Sequence, residues 1–198
     1  MTAAAASGRE NQKRRTRRHL LDAAARLMQQ GGNPTLEDVA AEALVSRATV
    51  YRYFPSAEDL LAEVALDRTA PQAESLFAEV DSADPVDRLE RVDAAFDDMI
   101  ADNETALRAL IVRSMQQRMA GSDGDLRQNR RAPMIDAALA PSRKAFKPAQ
   151  LALLRRALAL VIGTESMLAF KDVLGLDKAE TRRVKRWMIR ALVDAARR

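Results

Sequence analysis

The 198-residue chain contains no cysteine. It can form no disulfide, no thiolate metal site and no thiol nucleophile, and the absence suits a reducing compartment. There is a single histidine, His19. Without a second histidine or a cysteine, a histidine metal site or catalytic base lacks partners, and His19 is expected at the surface. Aromatic residues make up only 4%. With alanine, leucine and arginine abundant, that scarcity favours helices over sheets. Long apolar runs are missing too. The longest, "ALALVIG", is far too short to span a bilayer, and the opening "MTAAAASG" lacks the apolar stretch of a signal peptide. A cytoplasmic protein with no membrane partner is expected.

What is present is enough for a folded core: 47% hydrophobic and 30% charged residues. The net charge is +4, and all of it lies early in the chain. Residues 1–54 hold nine basic and five acidic residues, and the rest holds 23 of each. Most of the excess is "RENQKRRTRR", Arg9 to Arg18. A basic segment on a neutral body suits a polyanion such as nucleic acid, or equally a solubilising tail.

Apolar spacing reads as helix throughout, with no strand signal. Leu20, Ala24, Leu27 and Met28 form one stripe, stopped by Gly31 and Gly32. Thr35 and Asp38 make a capping box for a short helix with Leu36, Val39, Ala40 and Ala43 on one face. Ser46 is a suitable N-cap for a third helix, in which Val50 and Phe54 share the buried side and Pro55 ends the run. Ser56 and Asp59 form another capping box, ahead of Leu60, Leu61, Val64 and Leu66. Further on, Val86, Leu89, Val92, Phe96 and Ile100 line one stripe, and Leu107, Ile111, Met115 and Met119 another. "GSDGD" breaks the pattern and "MIDAALAP" is a short helix. A single amphipathic helix of roughly 40 Å is expected from Pro148 to Leu174. Asp177 and Glu180 then cap a last helix through Trp187.

Two short helices joined by a tight turn, beside a basic segment, suggest a helix-turn-helix. Both tyrosines of the chain, Tyr51 and Tyr53, fall in "SRATVYRYF", Ser46 to Phe54. Two positions apart on a helix, they cannot share one buried face. Small Ala48 and Thr49 allow close approach to a groove, and Arg47 can reach base edges or phosphate. Hydroxyls of Thr35, Ser46, Thr49, Tyr51 and Tyr53 can donate to phosphate oxygens, and the helix N-termini at Thr35 and Ser46 favour the same anions. Arg52 completes this set.

The stretch "TLEDVAAEALVSRATVYRYFPSAEDLL", residues 35–61, resembles the DNA-binding signature of the TetR family of bacterial one-component regulators. The register of Thr35, Val39, Ala40, Val45, Ser46, Thr49, Tyr51 and Phe54 carries the resemblance, which extends over residues 12–72. It implies an all-α fold. A three-helix DNA-binding domain (12–72, helix-turn-helix core 35–54) would follow a disordered tail (1–11). A helical ligand-binding and dimerisation domain (73–198) would complete the chain, with a four-helix-bundle dimer interface. It also implies roles: Thr35, Thr49 and Tyr53 on phosphates, Arg47 and Ala48 on bases, Tyr51 on both, and Arg14, Arg15, Arg17 and Arg18 along the backbone near the minor groove. Two positions depart from the family pattern. Leu44 stands where the turn usually has glycine, and Ala57 stands where a lysine usually holds a phosphate.

The expected function is a transcriptional regulator, acting as a repressor. It would bind double-stranded palindromic operator DNA as a homodimer and be released by an unidentified small molecule. Phe96, Ile100, Ile111, Met115, Met119, Met134, Glu165 and Phe170 are candidate pocket residues. Leu158, Ile162, Trp187, Met188, Ala191 and Leu192 are candidates for the dimer interface. Glu165 interrupts an apolar stripe, and a partner across an interface, a ligand or a position at the stripe's edge would each account for it. The acidic run from Asp81 to Glu104 is expected as a solvated face. An enzyme is not expected: there is no nucleophile–base pair, metal-ligand set or phosphate loop, and no cofactor is implied. The alternative is a nonspecific nucleic-acid binder working through the basic arm.

Overall fold

The computed structural model describes residues 3–121 and 128–197, and among them every regular element is helical. The expected break at "GSDGD" lies mostly outside the described residues. The chain divides into two compact units. The first comprises residues 1–69 and 108–128, the second residues 70–107 and 129–198. The expected boundary at residue 72 falls beside this division, while residues 108–128 belong with the first unit. One reason is the ion pair between Arg113 and the buried Asp59.

In the first unit, α1 (Ala3–Gln29) is one long helix. It includes residues 3–11 of the segment expected as a tail, and Met1 and Thr2 lie outside the described residues. Three shorter helices follow: α2 (Leu36–Glu42), α3 (Arg47–Tyr53) and α4 (Ala57–Thr69). Their shared core is Leu20, Leu21, Ala23 and Ala24 from α1, with Leu36, Val39 and Ala40 from α2. Ala43 just after α2, Val50 of α3, Phe54 just after it, and Leu60 and Val64 of α4 complete it. Each fully buried large aliphatic or aromatic side chain contributes about 1.5–3 kcal/mol relative to exposure.

Helices α1 and α2 end alike. After α1, Gly31 N–H bonds Met28 O at 3.0 Å and Gly32 N–H bonds Leu27 O at 3.3 Å, with Gly31 at φ 85°. After α2, Leu44 N–H bonds Ala41 O at 3.1 Å and Val45 N–H bonds Ala40 O at 3.0 Å, with Leu44 at φ 52°. Both are Schellman closures, which satisfy terminal carbonyls by placing one residue in the left-handed region. The turn therefore keeps the geometry that suits glycine, with a leucine in it.

The second unit holds α5 (Ala73–Phe77), α6 (Pro85–Asp102), α8 (Arg131–Leu139), α9 (Pro148–Val161), α10 (Thr164–Met167), a π-helical segment (Leu168–Val173) and α11 (Lys178–Arg197). Helix α7 (Glu104–Met119) begins in this unit and belongs to the first from Arg108 onward. Val86, Leu89, Val92, Phe96 and Ile100 are buried on α6, as their spacing predicts. Arg88, between them, is also buried. Its guanidinium lies 3.8 Å from the Phe77 ring centroid and donates to Ala137 O and Ala138 O, both at 3.1 Å. It thereby satisfies carbonyls near the C-terminal end of α8, which lack intrahelical partners.

The long helix expected from Pro148 to Leu174 is interrupted. It stops at Val161, and Gly163 adopts φ 129°. The Arg131 guanidinium packs against Gly163 so closely that a Cβ there would lie 2.7 Å from its central carbon. Arg131 donates to Ala159 O and pairs with Glu165 at 2.6 Å. One arginine thus takes up a carbonyl left open by the break and neutralises the carboxylate that follows.

Candidate nucleic-acid interface and cavity

Helix α3 is held from two sides. Ser46 caps it, its Oγ accepting from Thr49 N–H at 3.2 Å and lying 2.9 Å from Thr49 Oγ1. Val50 and Phe54 are buried and fasten it to the core. The remaining surface faces outward: Arg47, Ala48, Tyr51 and Arg52 are exposed, and Thr49 and Tyr53 are half-buried. The Arg52 guanidinium sits 5.3 Å from the Tyr53 ring centroid. A short helix presenting cations, hydroxyls and a small residue suits a major groove.

Helix α2 is closed by the expected capping box. Thr35 N–H donates to Asp38 Oδ2 at 2.9 Å, and Asp38 N–H donates to Thr35 Oγ1 at 3.2 Å. Thr35 Oγ1 also donates to Asp38 Oδ2 at 2.7 Å. These bonds from Thr35 lower the Asp38 pKa. The Thr35 hydroxyl proton is thus committed to the cap, and a phosphate contact requires it to change partner. Sequence reasoning missed Glu37. Its Oε1 accepts from Tyr51 Oη at 2.9 Å, tying the exposed face of α3 to α2 and raising the phenol's pKa through that bond and the carboxylate's charge.

The basic arm divides. Arg14 and Arg15 are exposed on α1. Arg18 is exposed but lies 3.1 Å from Asp22 and 3.5 Å from Asp67. Arg17 corrects the expectation of a backbone contact, because it is buried. Its Nη1 donates to Tyr53 O at 3.1 Å, its guanidinium pairs with Glu63, and it lies 4.3 Å from the Phe54 ring centroid. It works inside the unit, holding the C-terminal end of α3. Ala57, the second departure from the family pattern, is half-buried against the core.

The second unit contains a cavity of about 290 Å³. Its apolar lining includes Ile100, Met167, Phe170 and Leu176, with Asp97 and Lys185 among its polar residues. Of the candidate pocket residues, Ile100 and Phe170 line this cavity. Phe96 and Met134 are buried in the core instead, and Glu165 pairs with Arg131. Ile111, Met115 and Met119 belong to the first unit, with Met115 and Met119 exposed. Their apolar spacing revealed neither the unit they belong to nor the exposure of Met115 and Met119.

Lys185 is 1% exposed. Its Nζ donates to Asp97 Oδ1 at 2.6 Å and forms an ion pair with Asp93 Oδ1 at 2.5 Å. Burial outweighs the attraction of Lys185 and pushes the Asp93 pKa up to about 6. Part of the acidic run expected as a solvated face is therefore interior. The alternation of Asp93 and Asp97 with Lys185 at the buried register of α11 is the signal that could have found it. Of the expected dimer residues, Leu158 and Ile162 are fully buried in this unit's own core, so they are corrected to core positions. Trp187 is 71% exposed, Ala191 is exposed, and Met188 and Leu192 are half-buried. Leu153 and Leu160 are exposed on α9.

Among the described residues there is no cluster of three or more metal-ligand side chains, and no helix is long and apolar enough to cross a membrane. Residues 20–64 match the family model described as bacterial regulatory proteins, tetR family. No curated protein and no solved structure matches the chain.

Proposed function

We propose that this chain is a homodimeric repressor released from a palindromic operator by a small molecule, a reading supported by the match of residues 20–64 to DNA-binding transcriptional regulators of the TetR family. The observation that carries this reading is the division of labour on α3. Val50 and Phe54 are buried while Arg47, Ala48, Tyr51 and Arg52 are exposed. Arg47 and Ala48 read bases, Thr49 and Tyr53 hold phosphates, and Tyr51 serves both. Thr35, Ser46, Arg14, Arg15 and Arg18 add backbone contacts. The protein works in the cytoplasm and has no catalytic role.

Apolar side chains left exposed on two helices of the second unit support dimerisation. Leu153 and Leu160 on α9, and Trp187 and Ala191 on α11, form the contact with the half-buried Met188 and Leu192 at its edge. Two such pairs of helices make a four-helix bundle. The dimer sets two copies of α3 on half-sites about 34–36 Å apart. A ligand in the second unit's cavity favours an arrangement that no longer matches this spacing.

Selection of bound DNA from a random pool, with and without candidate metabolites, tests the reading. The expected result is one palindrome preferred by on the order of 10³-fold or more over random DNA. A flat profile would instead establish nonspecific binding through the basic arm. An Arg47→Ala variant with an unchanged sequence profile would remove that residue from base reading.

A further inference from the structure

The cavity of the second unit, at about 290 Å³, is near the small end of ligand pockets, which begin at about 300 Å³. Part of its lining is apolar: Ile100, Met167, Phe170 and Leu176. Phe170 belongs to the π-helical segment Leu168–Val173, a distortion found frequently at functional sites. Other lining residues are charged, and around Lys185 the charges are uneven. Two carboxylates, Asp93 and Asp97, share the single ammonium of Lys185. The other lysines of the lining already have partners. Lys171 holds Glu104 at 2.7 Å, and Lys178 lies 3.5 Å from Asp98.

We propose that this cavity takes a small organic cation, an amine or ammonium group on an apolar body, with Asp97 as its countercharge. The proposal rests on the reading of the cavity as the effector site. Asp97 lines the cavity, whereas Asp93 is buried behind it beside Lys185. A ligand ammonium at Asp97 supplies the missing positive charge and leaves Lys185 to Asp93. The apolar body meets Met167 and Phe170, and an aromatic ring attracts cations as well as apolar groups. A carboxylate ligand would add a third negative charge beside two that already repel each other, and burying it there is costly. Exposed Arg182 offsets part of the negative field at Asp93, but it is solvated and does not line the cavity.

Isothermal titration of the full chain with three probes of similar shape tests this: benzylamine, benzyl alcohol and benzoate. Benzylamine is expected to bind about tenfold more tightly than benzyl alcohol, with benzoate weakest. Asp97→Asn is expected to erase that advantage while leaving benzyl alcohol unchanged, and Asp97→Glu to restore it. Ala101→Trp, which fills the cavity from an uncharged lining position, is expected to abolish binding of all three. Benzoate binding as tightly as benzylamine, or no effect of Asp97→Asn, overturns the cation assignment and leaves the cavity reading standing. Full binding of benzylamine by Ala101→Trp, or no binding of any probe by a protein that still holds its selected operator, overturns both.

Discussion

The two units carry their unfavourable elements in different places. The first unit keeps its proposed DNA contacts outside, on α3 and the arm of α1. Its liabilities include the buried ion-paired Arg17, Asp59 and Glu63 and a leucine in a left-handed turn, Leu44. The second unit keeps its charge inside, where Lys185 lies between Asp93 and Asp97. Surface cations that meet a polyanion must stay solvated until it arrives, because their contribution comes from releasing counterions. Charges beside a cavity are desolvated in advance, so their partners decide stability as well as ligand choice.

The sharpest way to break this comparison is Lys185→Met. It leaves the buried Asp93 and the half-buried Asp97 without their shared cation and is expected to cost about 3–5 kcal/mol of stability. Urea denaturation of the full chain measures it, and a loss below about 1 kcal/mol would show that these charges are solvated after all.

Arg17 and Arg15 make the same contrast within a single helix. Arg17→Ala removes the buried ion pair with Glu63, itself 1% exposed, and is expected to lower stability by about 3 kcal/mol. It should leave the salt dependence of DNA binding unchanged. Arg15→Ala is expected to do the reverse: unaltered stability, with the slope of log affinity against log salt reduced by about one. Equal salt effects from the two variants would contradict the inward role of Arg17.

Asp93 gives a smaller effect with a defined sign. Its folded pKa, about 6, stands above the 3.8 of the free group. The native state therefore holds the proton more tightly than the unfolded chain. The stability this contributes is complete below pH 4 and is lost as the pH rises through about 6, an effect on the order of 3 kcal/mol. Asp93→Asn is expected to flatten stability between pH 4 and 6. A wild-type profile already flat across that window would place Asp93 in contact with water.

Much of this was legible in the sequence because it is local. Capping boxes at Thr35 and Asp177 and the cap at Ser46 depend on residues three apart, and all three form. The buried stripe of α6 follows from helical period alone. What was not legible depends on distant partners. Nothing near Arg17 says that Glu63 waits 46 residues away, so it read as one more cation of the arm. Leu158 and Ile162 have the spacing of an interface, but spacing cannot distinguish a core shared with α11 from one shared with another copy. The break at Gly163 had a visible signal, a glycine inside an apolar stripe. Its cause, the Arg131 guanidinium, comes from another helix.

Leu44 joins the local and the distant readings, and it carries the smallest expected effect. The same closure ends α1 with Gly31 and α2 with Leu44, so the two turns differ mainly in the residue asked to hold a positive φ. For an L-residue that conformation costs about 1–2 kcal/mol. Leu44 is 92% exposed, so its side chain returns little through packing. Leu44→Gly relieves the strain, and the extra freedom of glycine in the unfolded chain cancels part of the gain. The expected outcome is a stabilisation of at most about 1 kcal/mol in urea denaturation, with α3 presented as before and operator affinity unchanged. A clear loss of stability would mean that the leucine is packed. Unchanged stability with weakened operator binding would mean that it touches DNA, giving the turn beside α3 a direct part in recognition.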